Sequence, residues 1–170
     1  MPSSLRFITT FGLGHMRPAS GTWGSLPPPA IGAALVLMGL HPGADQTGAI
    51  VFNAAMALIL IIFSIACIVQ GDAAEARWGH DPAETVADET AGQCLPLLAL
   101  PAGVFYTWPR AFLFLGFAFI TFRILDIIKP WPAHRLQRVP GGWGILLDDL
   151  AAGLYAAGVV QLVARVGFGW

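Results

Sequence analysis

About 23 consecutive residues, Gly48–Gln70, carry no charged side chain and are rich in Ile, Leu, Ala and Met. A stretch of that length and polarity suits the hydrocarbon core of a bilayer, which needs about 20 apolar residues to cross as a helix. Lipid offers backbone groups no hydrogen-bond partners, so a helix is the form this run can take there. The rest of the chain agrees. Charged residues make up 11% and hydrophobic residues 56% of the 170 positions, with a mean hydropathy of +0.68. Soluble domains carry about 25% charged residues. The expected fold is all-α: one membrane-embedded helical bundle over 1–170, with about four to five apolar helices. A formal net charge of −1 offers no basic field for nucleic acid. No protein partner is evident either.

Four other apolar segments follow different rules. Leu26–Leu40 is only about 15 residues and starts with Pro27 to Pro29, so a short or re-entrant span is expected. Ala91–Pro109 is interrupted by Pro96 and Pro101 and reads as a kinked helix. Ala111–Ile128 is a strong apolar helix. Asp148–Ala164 carries Ala151, Ala152, Gly153, Ala156, Ala157 and Gly158, small residues that suit close helix packing. Met1–Gly14 lacks a signal-peptide pattern, so the first apolar segment is expected to remain as an anchor. If all five segments cross, Arg6, Arg17, Arg77, Lys129, Arg135 and Arg138 share one face, against Arg110 and Arg165 on the other. The positive-inside rule makes the first face cytoplasmic. A re-entrant Leu26–Leu40 would split that bias. Cys67 and Cys94 lack metal or redox spacing and read as buried thiols.

The acids concentrate on the same face. Gly71–Thr90 holds Asp72, Glu75, Asp81, Glu84, Asp88 and Glu89. Asp88-Glu89 and Asp148-Asp149 each open an apolar segment. Acids at helix starts are favoured by the helix dipole, and that is one reading of both pairs. The other reading is that adjacent carboxylates, which repel, share a hard cation; oxygen-only ligands suit Mg²⁺ or Mn²⁺. Arg123, Asp126 and the chain's only lysine, Lys129, follow at i, i+3 and i+6. They form either an ion-pair ladder with snorkelling ends or a carboxylate ligand flanked by phosphate-binding cations. Gly12, Gly14, Gly21, Thr22, Gly24 and Ser25 make a glycine-rich lead-in, either flexible or an anion cradle of backbone amides. It holds too many Gly, Ser and Pro residues for a regular helix. The four histidines show no metal spacing; His15 and His80 are kept as proton carriers. Trp23, Trp78, Trp108, Trp131, Trp143 and Tyr106 read as interface anchors. A small transporter or ion pathway is the rival class, and it would put charges at mid-bilayer.

GLGHMRPASGTWGSLPPP, DPAETVADETAG, FRILDIIKPWP and GGWGILLDDLAAG, in that order over Gly12–Gly153, together resemble the phosphatidylglycerophosphatase A family. The resemblance implies a Mg²⁺-dependent phosphatase of the bacterial inner membrane, facing the cytoplasm. It would hydrolyse phosphatidylglycerophosphate to phosphatidylglycerol during phospholipid biosynthesis. The family's acidic pattern falls on Asp81, Asp88, Glu89, Asp126, Asp148 and Asp149, with Lys129 as the fixed cation. The expected metal ligands are Asp81, Asp88, Glu89, Asp148 and Asp149. Asp126 is expected as a further ligand or support. Arg123, Lys129 and the amides near Thr22, Gly24 and Ser25 are expected to hold phosphate. Departures from the family pattern are Ser20, Thr90 and Gln93, none of them a candidate ligand.

Overall fold

The computed structural model describes residues 5–80, 82–131, 133–136 and 139–168, and it contains helices and turns but no strand among them. In order, the helices are α1 (Ser20–Ser25), α2 (Pro27–Leu37), α3 (Gln46–Trp78), α4 (Ala87–Cys94), α5 (Trp108–Ile128), α6 (Ala133–Leu136) and α7 (Gly142–Phe168). Three of them, α3, α5 and α7, are long and apolar enough to cross a membrane. The four to five expected from the apolar segments are therefore not all regular spanning helices.

Local chemistry accounts for the difference. α3 starts where Asp45 accepts a hydrogen bond from the Gly48 amide at 2.6 Å, and it ends on Gly79. The side-chain cap satisfies a donor that the first helical turn leaves free. α2 has 11 residues because three prolines lacking N–H groups separate it from α1 at Leu26. It does not turn back. Gly21 in α1 lies beside Glu89 and Arg123, whereas Val36 near the end of α2 packs with Phe52 and Phe105 at the opposite end. The segment read as a short or re-entrant span is thus a short helix running from one end of the bundle toward the other.

Ala91–Pro109 is not a kinked helix. α4 stops at Cys94, Pro96 sits in a 3₁₀ turn over Leu95–Leu97, and Ala99 adopts a left-handed φ of 54°. Two prolines remove donors, and a non-glycine residue at positive φ ends any continuation. The broken backbone finds side-chain partners instead. The Ala99 amide donates to Asn53 Oδ1 at 2.8 Å, and Gln161 Nε2 donates to the Leu98 carbonyl at 2.7 Å. Irregular backbone is tolerated in a membrane protein when neighbouring side chains satisfy it in this way. Asn53 and Gln161, isolated amides in apolar helices, gain a structural role that their spacing did not reveal.

One core cluster joins Val36, Phe52, Met56, Leu97, Phe105 and Phe114 at the end away from the acids. Another joins Ile8, Phe63, Cys67, Ala87, Ala91 and Leu146 near them. On α7 the fully buried stripe is Ala152, Ala156, Val160 and Ala164, one side chain per turn, while Gly158 faces outward. Outward faces of α3, α5 and α7 expose Leu58, Ile61, Val69, Leu113, Ile127, Leu154 and Leu162. So much contiguous apolar surface is stable only against lipid or another apolar partner. Cys67 and Cys94 are buried free thiols, as expected. Trp108, Trp131 and Trp143 are exposed at helix ends.

Candidate active site

Four stretches converge at the end of the bundle where α3 finishes and α7 begins. α4 brings Asp88 and Glu89 in its first turn, α5 brings Arg123 and Asp126 in its last turns, and α7 brings Asp148 and Asp149 in its second. The fourth, Ala19–Gly21, closes one side. Together they line a pocket of about 340 Å³ that includes Asp88, Glu89, Arg123, Asp126, Lys129 and Asp149.

Carboxylate oxygens of Asp88, Glu89 and Asp149 lie within 4.8 Å of one another. Asp88 Oδ1, Glu89 Oε2 and Asp149 Oδ2 are buried without a hydrogen-bond partner. Unsatisfied buried acceptors are costly, and carboxylates gathered this closely are relieved by shared protons or by a cation. Burial pushes the Asp88 carboxyl well above the usual carboxylate range, and the charges of Glu89 and Asp149 push it further. Burial also lifts Glu89 to about 7, with Asp88 and Arg123 pulling the other way and Asp126 adding to the rise. Such a cluster could hold a metal ion, and its all-oxygen donor set is that of a hard cation.

The cations are tied into the same region. Arg123 Nη1 donates to Asp126 Oδ2 at 2.6 Å and to Ser25 Oγ at 3.2 Å, and it lies 3.9 Å from Glu89 Oε1. Its Nε is buried with no partner. Lys129 ends α5 in the left-handed region, φ 45° and ψ 66°, just before Pro130. That conformation is strained for a residue with a side chain, and it aims Lys129 at α7. There Nζ donates to Asp148 Oδ2. Burial works against the ammonium, but Asp148, with Asp149 and Asp126 beyond it, holds the Lys129 pKa above the usual lysine range. Five carboxylates thus face two fixed cations among the described residues.

Several expected residues lie elsewhere. Asp148 is buried but stands outside the three-oxygen cluster, because adjacent helix residues point about 100° apart. Asp81 lies outside the described residues. Thr22, Gly24 and Ser25 do not line the pocket. The lead-in holds a 3₁₀ segment over Thr10–His15, broken at Phe11 and Gly12 by positive φ, and then α1. Thr22 is exposed. The Gly24 carbonyl accepts from Thr90 Oγ1 at 2.7 Å, and Ser25 Oγ donates to the Gly21 carbonyl while accepting from Arg123. Thr90 also bonds Thr10 at 2.9 Å, pinning the lead-in to α4. His15 packs edge-on against Trp78 and His80 bonds Glu75 at 2.7 Å; neither lines the pocket. Ala19, Ser20 and Thr85, which sequence reasoning missed, do line it. No residue-type signal marks them; only the chain path does.

Two glycines set the spacing. A Cβ on Gly92 would stand 2.6 Å from the Asp149 carbonyl, so only glycine lets α4 come this close to α7. A Cβ on Gly21 would strike Glu89 Oε1 and come within 2.9 Å of Arg123 Nη2. Those are the ends of flexible side chains, so they can move aside. We expect Gly21→Ala to leave thermal stability within about 0.5 kcal/mol, typical of a change without core disruption. Turnover should fall by up to about 10²-fold, since small displacements of positioned groups are costly. A melting curve and a rate measurement on the same sample check both halves.

A pocket of clustered carboxylates and paired cations, at one end of an apolar helix bundle, defines a membrane protein with a site that could hold a metal ion. The family profile for "Phosphatidylglycerophosphatase A" matches residues 6–164. The chain belongs to that family and is a phosphatase. It is 33% identical over 157 residues to a putative phosphatidylinositol-3-phosphatase of Bacteroides thetaiotaomicron, covering 92% of this chain and 90% of that one. It is also 33% identical over 157 residues to phosphatidylglycerophosphatase A of Haemophilus influenzae, covering 88% and 82%. The Escherichia coli phosphatidylglycerophosphatase A is 40% identical over 87 residues, covering 51% and 46%. No solved structure matches the chain.

Proposed function

We propose that the chain removes the terminal phosphate of phosphatidylglycerophosphate, using Mg²⁺, on the cytoplasmic face of a bacterial inner membrane. The observation that carries this reading is the trio of buried, unpartnered oxygens on Asp88, Glu89 and Asp149 in a pocket that Arg123 and Lys129 also line. Asp88, Glu89 and Asp149 would hold the cation, with Asp126 beside them. The ion would offset the charge of the phosphomonoester and make water a better nucleophile.

The chain's own groups do the rest. Arg123 offers its free Nε to a phosphoryl oxygen while Ser25 and Asp126 fix its plane. Lys129, held by Asp148, adds a second positive charge where negative charge builds in the transition state. Asp148 thereby supports the lysine. Ala19–Gly21 and Thr85 wall off one side of the phosphate from water. A rival pathway for ions would string charges through the bundle; here they gather at one end. The Bacteroides relative's name favours a second reading, a phosphoinositide as substrate.

The test is phosphate release by purified protein from phosphatidylglycerophosphate and from phosphatidylinositol 3-phosphate, with Mg²⁺ and with EDTA. Release from the first lipid, abolished by EDTA and restored by Mg²⁺, is expected. Release that ignores EDTA would sink the metal role, and release from the inositol lipid alone would reassign the substrate.

A pH dependence follows from Glu89. Its folded pKa is about 7, above the usual glutamate value, so the folded protein binds protons that the unfolded chain releases. Metal-free protein should therefore lose stability as pH rises from about 4.5 to 7. Mg²⁺ competes with those protons and with the one on Asp88, so its apparent affinity should weaken at least about tenfold for each unit the pH falls below 7. Calorimetric titration at pH 6 and 8 measures it; equal affinities would contradict the role given to Glu89.

A further inference from the structure

The acidic pocket explains where a phosphate sits but not where the greasy part of such a substrate goes. Ile127 belongs to both worlds. It lines the pocket, yet 72% of it is exposed on the outer face of α5. Beneath it run Ile124, Ile120 and Gly116, all exposed, at successive helical turns. These four positions fall within an arc of about 80°. Gly116 is a dent: a Cβ there would meet nothing within 4 Å, and the surface around it forms an apolar groove of about 440 Å³ with Phe112, Phe117 and Ile120. From Gly116 to Ile127 the helix rises about 16 Å, close to half of the roughly 30 Å hydrocarbon core. None of the apolar grooves shares a residue with the acidic pocket, but the one at Gly116 lies on the same face of α5 as Ile127, which does line it.

We propose that an acyl chain of the lipid phosphomonoester lies along the Gly116–Ile127 edge of α5 while its phosphate occupies the acidic pocket. This rests on the lipid-phosphatase reading above. The substrate then arrives sideways from the leaflet, and the rim at Ile127 is the point where head and tail part. The track meets the pocket at Ile127, is apolar over a leaflet's depth, and is grooved at Gly116, where a chain would otherwise ride over a bulge.

Two measurements test it. First, a phosphatidic-acid analogue with a photoreactive group midway along one acyl chain is cross-linked to the protein in detergent. Labelling should fall on Phe112–Ile124, and excess unlabelled lipid phosphomonoester should compete it away while a phosphate-free lipid does not. Label spread evenly over α3, α5 and α7, or competed equally by both lipids, overturns the track. So does α5-to-α5 cross-linking between copies that excludes the lipid. Second, Gly116→Phe should lower the ratio of long-chain to deacylated substrate turnover by about five- to tenfold, the worth of one or two lost methylene contacts. Leu162→Phe, also at an exposed position but on α7, should leave that ratio alone. Equal ratios for the two variants overturn the proposal. Labelling decides the track even if no phosphate is released, whereas phosphate release decides the reaction, so the two failures are distinguishable.

Discussion

Asp88→Asn should lower Mg²⁺-dependent phosphate release by on the order of 10³-fold, beyond the 10–100-fold loss typical of groups that merely support a ligand. The same change should make the metal-free protein more stable, by about 1 kcal/mol. The reason is electrostatic. Asp88 is buried beside Glu89 and Asp149, and its carboxyl is held well above its usual range by burial first and by those charges second. A neutral amide of the same shape removes one member of a repelling trio. It also removes an oxygen that a cation needs. Wild-type protein should gain melting temperature on adding Mg²⁺, and the variant should not. A variant that is less stable without metal, yet still stabilised by Mg²⁺, would show that Asp88 acts through packing instead.

Lys129→Met should cost about 1–3 kcal/mol of stability, because it removes a charged hydrogen bond from a carboxylate that is only 2% exposed. Activity should fall at least about 10²-fold as the positive charge facing phosphate disappears. Replacing both partners separates the two effects. Lys129→Met with Asp148→Leu should recover part of the stability, since removing both members of an ion pair costs less than removing one. It should recover none of the activity. Thermal denaturation in detergent and phosphate release on the three proteins give the comparison. Recovery of activity in the double variant would mean that Lys129 only neutralises Asp148 and never meets substrate.

The amino-acid sequence alone determined a good deal. An uncharged run as long as Gly48–Gln70 has few options other than an apolar helix, and charge spacing put the working residues at one end. The acids at the starts of α4 and α7 and the charges at the foot of α5 were legible because helical periodicity is local. Identity at the site was partly legible for the same reason: Asp88 and Glu89 open a helix, and Pro130 stops one beyond Lys129.

What only the tertiary structure decided depends on directions and distances that no local pattern encodes. Asp148 and Asp149 are neighbours in sequence, yet one bonds Lys129 while the other joins the oxygen cluster, since a helix turns its side chains about 100° per residue. Ser25 read as part of a phosphate cradle, and only the fold shows that its hydroxyl accepts a hydrogen bond from Arg123. The Ala91–Pro109 segment read as a helix and is instead held open by Asn53 and Gln161, because backbone stripped of regular partners must find others wherever the fold brings them.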